Sequence, residues 1–287
     1  MHRDAFSTYH PLVNLAFFVS VIGFAMFLLH PVALGISFVC AAGYVLCIKG
    51  KKALRFGLIF MLPMLLFTAA MNPLFNHQGV TIVAFLPNGN PVTREAIIYG
   101  IAAAIMLITV ITWFACVNAI LTGDKMVYLF GRVAPALSLI LSMSLRFVPR
   151  FIAQAKIISN AQKALGRKTS PFKILSMLVS WALENAIETA DSMKARGYGL
   201  PNRTAFSIFT FTQRDALALL FFALNIAVIL AGVAAGAYRF RYFPDIQGEW
   251  TGAGTLAVFT AYFLLCAFPL FLHVKEALYW KRTASVI

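Results

Sequence analysis

Two short stretches carry residue types suited to recognition chemistry. Lys163-Ala164-Leu165-Gly166 and Lys194-Ala195-Arg196-Gly197 lie 31 residues apart. Each reads as the C-terminus of a helix: a cation, a small residue, a variable residue, then Gly. Taken singly, either is ordinary punctuation, because a cation near a helix C-terminus gains ~0.3–1 kcal/mol from the macrodipole and Gly is the usual stop. Two such ends on consecutive basic segments point to docking instead. Small flanking residues let a partner's backbone approach, and a guanidinium fork pairs with carboxylates or carbonyls. Arg196 sits within the second stretch, and Arg167 and Lys168 follow the first.

Little else in the chain suggests bond-making chemistry. His2, His10, His30, His77 and His273 never pair at ligand spacing, and no His-Glu-x-x-His occurs. Cys40, Cys47, Cys116 and Cys266 lie in apolar blocks without a Cys-x-x-Cys, so they read as packing residues, and no metal site is expected. No phosphate-binding Gly-x-x-x-x-Gly-Lys loop and no Gly-x-Ser-x-Gly elbow is present. Glu184 and Glu188 stand one helical turn apart, but no other ligand type joins them, so a solvated helix face is expected. Gly232-x-x-x-Gly236 suits close helix packing in lipid.

The elements that must position the two stretches follow from composition. Of 287 residues, 61% are hydrophobic and 12% charged. Globular domains carry roughly 25% charge, and the deficit here falls in long apolar blocks. The expected class is an all-α, polytopic membrane protein with about six transmembrane helices. The apolar blocks are 12–29, 32–48, 56–71, 96–121, 216–236 and 255–272, and none contains Asp, Glu, Lys, Arg or His. Ion relays need ionisable groups at membrane depth, so an ion-coupled transporter, a charged-ring channel and an intramembrane protease are disfavoured. The first block runs directly into the second and reads as a retained span, not a cleaved leader.

Lys and Arg number 24 against 10 Asp and Glu, a net charge of +14. With the N-terminus inside and six alternating spans, 21 of the 24 cations fall on the cytoplasmic side, as the positive-inside bias requires. Both termini are then cytoplasmic. Three regions result: 1–121 with about four spans, a cytoplasmic coupling region at 122–214, and 215–287 with two spans. The apolar stretch 136–145 is too short to cross a bilayer, whether or not residues 126–148 dip into it. Residues 72–77 and 87–91 read as a loop.

Two amphipathic helices are expected in the coupling region, at 150–165 and 172–196. The first sets Lys156, Asn160 and Lys163 opposite Phe151, Ala155, Ile158, Ala161 and Leu165. The second has a polar stripe through Lys173, Ser176, Ser180, Glu184, Glu188 and Asp191. Leu175, Leu178, Val179, Trp181, Ala182 and Ala186 lie on its apolar remainder. Such broad apolar faces need lipid headgroups, the spans of this chain or another membrane protein against them.

Most of the chain resembles the transmembrane T component of energy-coupling factor transporters, a family that includes cobalt-transport permeases. The likeness lies in Asn-Pro-Leu-Phe-Asn-His at 72–77 with Pro-Asn-Gly-Asn-Pro at 87–91, in LSLILSMSLRFVP at 137–149, in 161–167, and above all in SMKARGYG at 192–199. The resemblance implies a non-catalytic subunit in a prokaryotic plasma membrane. Its partners would be two cytoplasmic ATPases, which bind ATP and Mg, and a small membrane S component that captures a vitamin or metal ion. The T component needs no cofactor and no nucleic acid. Its two coupling helices each end in an X-Arg-X tripeptide that docks in an ATPase groove. Ala195, Arg196 and Gly197 match the second tripeptide. At the first, Ala164, Leu165 and Gly166 carry Leu where Arg is expected, leaving either Arg167 or apolar packing to serve. The S component would rest on Leu175, Leu178, Val179, Trp181, Ala182 and Ala186. A permease subunit of a conventional ABC importer is the second reading, although its Glu-Ala-Ala loop is missing. A lipid-modifying enzyme is the third, with only Glu184, Glu188 and Asp191 to serve it.

Overall fold

The computed structural model describes residues 4–87, 89–166, 170–200, 209–248 and 251–284. The chain is an all-α polytopic membrane protein that divides into two compact units, Met1–Thr122 with Phe211–Ile287, and Gly123–Thr210.

The first unit holds helices α1 (Pro11–Phe27), α2 (Pro31–Lys49), α3 (Lys51–Phe75), α4 (Arg94–Ile120), α8 (Gln213–Ala234) and α9 (Ala253–Ala284). A 3-10 turn at Ala5–Thr8 precedes them. These six helices cover the six apolar blocks, and among the described residues four of them are long and apolar enough to cross a membrane. Each of the first two opens on a His-Pro pair. Proline at the first helical position gives up a donor that has no intrahelical partner, and the preceding histidine caps the end. His10 Nδ1 accepts from the Leu12 N–H at 3.2 Å, and His30 Nδ1 accepts from the Val32 N–H at 3.2 Å. Helices α3 and α9 run through Pro63, Pro73 and Pro269, as membrane helices tolerate when neighbours satisfy the freed carbonyls. Residues 72–75, expected in a loop, are therefore the last turn of α3.

Aromatic rings lock the bundle. Phe17 of α1 meets Trp113 of α4 at 5.8 Å and Phe222 of α8 at 5.5 Å, and Phe222 meets Phe268 of α9 at 4.9 Å. Lipid is as apolar as these rings, so close packing and hydrogen bonds hold the helices, not burial from water. One such bond runs from Trp113 Nε1 to Ser37 Oγ at 3.0 Å. Close approach marks the glycines: a Cβ at Gly100 would stand 2.8 Å from the Ala69 carbonyl of α3. Gly232 packs against Val258 of α9. Its companion Gly236 does something else: at φ +74 it ends α8.

The N-terminal segment is tied to this bundle by groups far apart in sequence. Buried Asp4 accepts from Tyr44 Oη at 2.5 Å and pairs with His273 Nδ1 at 3.1 Å. The His10 N–H donates to Asp215 Oδ1 at 2.9 Å, and Asp215 also closes a capping box with Thr212.

Two small antiparallel hairpins join helices, β1 (Ile82–Phe85) with β2 (Pro91–Thr93), and β3 (Phe240–Arg241) with β4 (Gln247–Gly248). Glu95 holds the first, accepting from Thr81 Oγ1 at 2.7 Å and the Thr81 N–H at 3.3 Å.

The second unit contains α5 (Gly123–Val133), α6 (Pro135–Ala164) and α7 (Pro171–Ala195). Where sequence reading separates 136–145 from 150–165, the structure has one continuous helix through Pro149. A lone interior proline removes one hydrogen bond, and the flanking turns of α6 pack on α5 and α7.

Candidate docking site

Helices α6 and α7 end where the sequence places their stops, each on a left-handed glycine. At α7, the Gly197 N–H reaches the Lys194 carbonyl at 2.9 Å, and the Tyr198 N–H reaches the Met193 carbonyl at 3.0 Å. That pair of bonds is a Schellman closure, with Gly197 left-handed at φ +76 and Arg196 as the C-cap. At α6, Leu165 is the C-cap, Gly166 is left-handed at φ +69, and its N–H reaches the Lys163 carbonyl at 3.0 Å. Arg167 and Lys168 lie outside the described residues. Ala164, Leu165 and Gly166 are exposed, as are Ala195 and Arg196, while Gly197 is half-buried. Leu165 presents 67% of its surface.

The end of α8 shows which part of the tetrapeptide is generic. There the Gly236 N–H reaches the Val233 carbonyl and the Ala237 N–H reaches the Gly232 carbonyl, each at 3.1 Å. The same closure thus serves a helix with no cation in its last turn. Glycine is the helix stop; recognition chemistry has to come from Arg196 and Leu165.

Arg196 does not stand by itself. A cleft of about 670 Å³ between α6 and α7 is lined by Arg146, Arg150 and Arg196 together with Glu188, Asn185 and Ser192. Arg146 and Arg150 are an i,i+4 pair and so share one face of α6. In the sequence, the signal for this pair is its four-residue spacing. Three guanidinium groups against one carboxylate give this wall an excess of positive charge, a chemistry that suits carboxylates or other anions.

The apolar residues of α7 divide into two faces. Trp181 is half-buried, and its ring meets Phe151 of α6 at 5.8 Å. Leu178 and Ala182 are half-buried too. Leu175, Val179 and Ala186 lie exposed. Phe172, Leu183 and Ile187 extend that exposed stripe, with Leu183 at 64% and Ile187 at 66%. The six residues named from sequence are therefore brought onto two faces, one bearing Leu175, Val179 and Ala186, the other turned toward the helical hairpin that α7 makes with α6. Among the described residues, no group of three His, Cys, Asp or Glu is placed to hold a metal ion.

No protein-family model matches the chain. The energy-coupling factor transporter transmembrane protein EcfT of Lactobacillus helveticus is 27% identical over 157 residues, 46% of this chain and 57% of that protein. EcfT of Streptococcus equi is 33% identical over 111 residues, 35% of this chain and 39% of that protein. EcfT of Bacillus selenitireducens is 28% identical over 179 residues, 55% and 66% of the two chains. The chain spans about half the length of the curated relatives it matches. These relatives carry the resemblance to the transmembrane components of energy-coupling factor transporters.

Proposed function

We propose that this chain is the transmembrane coupling component of an energy-coupling factor importer for a vitamin or metal ion, and that it is not itself an enzyme. Two cytoplasmic ATPases hold ATP and Mg and grip the ends of α6 and α7. A membrane-embedded substrate-binding component rests on the apolar side of the same hairpin. Closure of the ATPase pair on ATP, and its release on hydrolysis, moves the two helices and allows the substrate-binding component to reorient. The protein sits in a prokaryotic plasma membrane with both termini in the cytoplasm.

The observation that carries this reading is the exposed Arg196 capping a Schellman-closed helix, beside a second helix that ends on the left-handed Gly166. The names of the relatives add support. A membrane protein that worked alone would have no use for a rigid arginine tip joined to an exposed apolar stripe.

Arg196→Glu places a carboxylate where an acid-accepting groove is expected, and like charge at a desolvated contact costs several kcal/mol. Pull-down of the ATPases is expected to fall by at least an order of magnitude, with substrate uptake lost. Undiminished assembly and uptake would refute the role. Leu165→Ala and Arg167→Ala, made separately, identify the residue that serves the first groove. If neither weakens assembly, docking at two sites is wrong.

A further inference from the structure

A second cleft, also of about 670 Å³, lies entirely within the first unit. Tyr9 forms one wall, Arg214 from the first turn of α8 another, and Lys275, Glu276, Tyr279 and Trp280 of α9 the third. The guanidinium of Arg214 stands over the Tyr9 ring, 5.6 Å from its centroid. A stacked guanidinium is held in place while its in-plane N–H donors stay available. Arg214 comes two residues before the apolar run 216–236, and Lys275 three residues after the run 255–272. Both cations therefore sit at the depth where apolar helix gives way to polar chain. Tyrosine and tryptophan concentrate at that depth because each has an apolar body and a polar handle.

We infer that this cleft binds the headgroup of an anionic phospholipid, with the phosphodiester between Arg214 and Lys275. Basic pockets between helices on the cytoplasmic side are where anionic headgroups are recognised, and the charge distribution puts this end of the bundle inside. Leu272 and Leu278 also line the cleft. They offer apolar surface to the glycerol and upper acyl chain, which a free phosphate ion could not use. Glu276 offsets one of the two cations, so the site matches a single phosphodiester and disfavours a polyanion. The inference rests on the membrane topology and not on ATPase docking, so either can fail without the other.

The test uses the full-length protein in detergent, titrated with phosphatidylglycerol or phosphatidylcholine and read by native mass spectrometry. Each cation near an anionic headgroup is worth about fivefold in binding, and with one of the two offset by Glu276 the cleft should favour phosphatidylglycerol by about fivefold. Arg214→Gln with Lys275→Gln should abolish that preference, whereas Arg239→Gln with Arg241→Gln, outside the cleft, should keep it. Equal retention of the two lipids, or an unchanged preference in the cleft double variant, overturns the inference. Displacement of phosphatidylglycerol by millimolar inorganic phosphate overturns it as well, since the site would then be one for free phosphate. Should the double variant aggregate, Lys275→Gln alone is expected to lose about fivefold, and an unchanged preference there counts equally against the inference.

Discussion

At the tip of α7 the helix stop and the charge are separate devices, and substitution can tell them apart. Gly197 and Gly166 both hold positive φ, where a Cβ costs about 1–2 kcal/mol. Space differs between them: a Cβ at Gly197 would meet Leu200 Cδ1 at 3.0 Å, while at Gly166 it would meet nothing within 4 Å. Gly197→Ala should therefore lower thermal stability in detergent more than Gly166→Ala does. The reverse order would mean that the contact with Leu200 does not set the difference between these two ends. Arg196→Gln should leave the melting temperature unchanged, because the closure uses backbone groups only, yet weaken ATPase pull-down. The helix stop was legible in the sequence because its parts are contiguous. The tie of Asp4 to Tyr44 and His273 was not legible, since those partners lie 40 and 269 residues away. Nor did sequence bring Arg146 and Arg150 beside Arg196, which required the pairing of α6 with α7.

Among the elements, α7 has two apolar faces in different surroundings, one half-buried and one exposed. Periodicity reveals that a helix has apolar faces but not which face meets its neighbour, so Trp181 and Leu175 look alike in sequence. The ring contact of Trp181 with Phe151 assigns one face to the hairpin itself. Leu183→Asp, on the exposed stripe, should leave the subunit folded, as judged by its size-exclusion profile. It should reduce co-purification of the substrate-binding component by about tenfold or more, the loss expected when an interface leucine worth ~1.5–3 kcal/mol becomes a charge. Trp181→Ala should act differently, lowering stability by about 3 kcal/mol through a cavity at the hairpin. Equal co-purification of wild type and Leu183→Asp would remove this stripe from the interface. Other elements escaped the sequence for physical reasons. The hairpin strands are only two to four residues long, too short for alternation to register. Pro149 imitated a boundary because a proline inside a helix and one between helices read identically.

For the whole molecule, the reading depends on which side of the membrane each part occupies, and the charge distribution supplies the expectation. Moving a Lys or Arg loop across a bilayer against the inside-positive bias is strongly disfavoured, and 21 of 24 cations fall on one side only with six alternating spans. The hairpin of β1 and β2 should then face outward, and the end of α7 inward. Pro87, exposed in the turn between Leu86 and Gly89, and Lys194, exposed in the last turn of α7, are suited to single-cysteine labelling. Cys40, Cys116 and Cys266 are buried and Cys47 is exposed, so Cys47→Ser gives a quiet background. A membrane-impermeant maleimide applied to intact cells should label Pro87→Cys and spare Lys194→Cys until the membrane is permeabilised. Labelling of Lys194→Cys in intact cells would put the arginine tip outside, beyond the reach of any cytoplasmic ATPase. The anionic-lipid cleft would move with it to the outer leaflet, because none of the apolar blocks of the sequence lies between Lys194 and Arg214. A single accessibility measurement therefore bears on the docking tip and the lipid cleft together, while pull-down and lipid titration separate them.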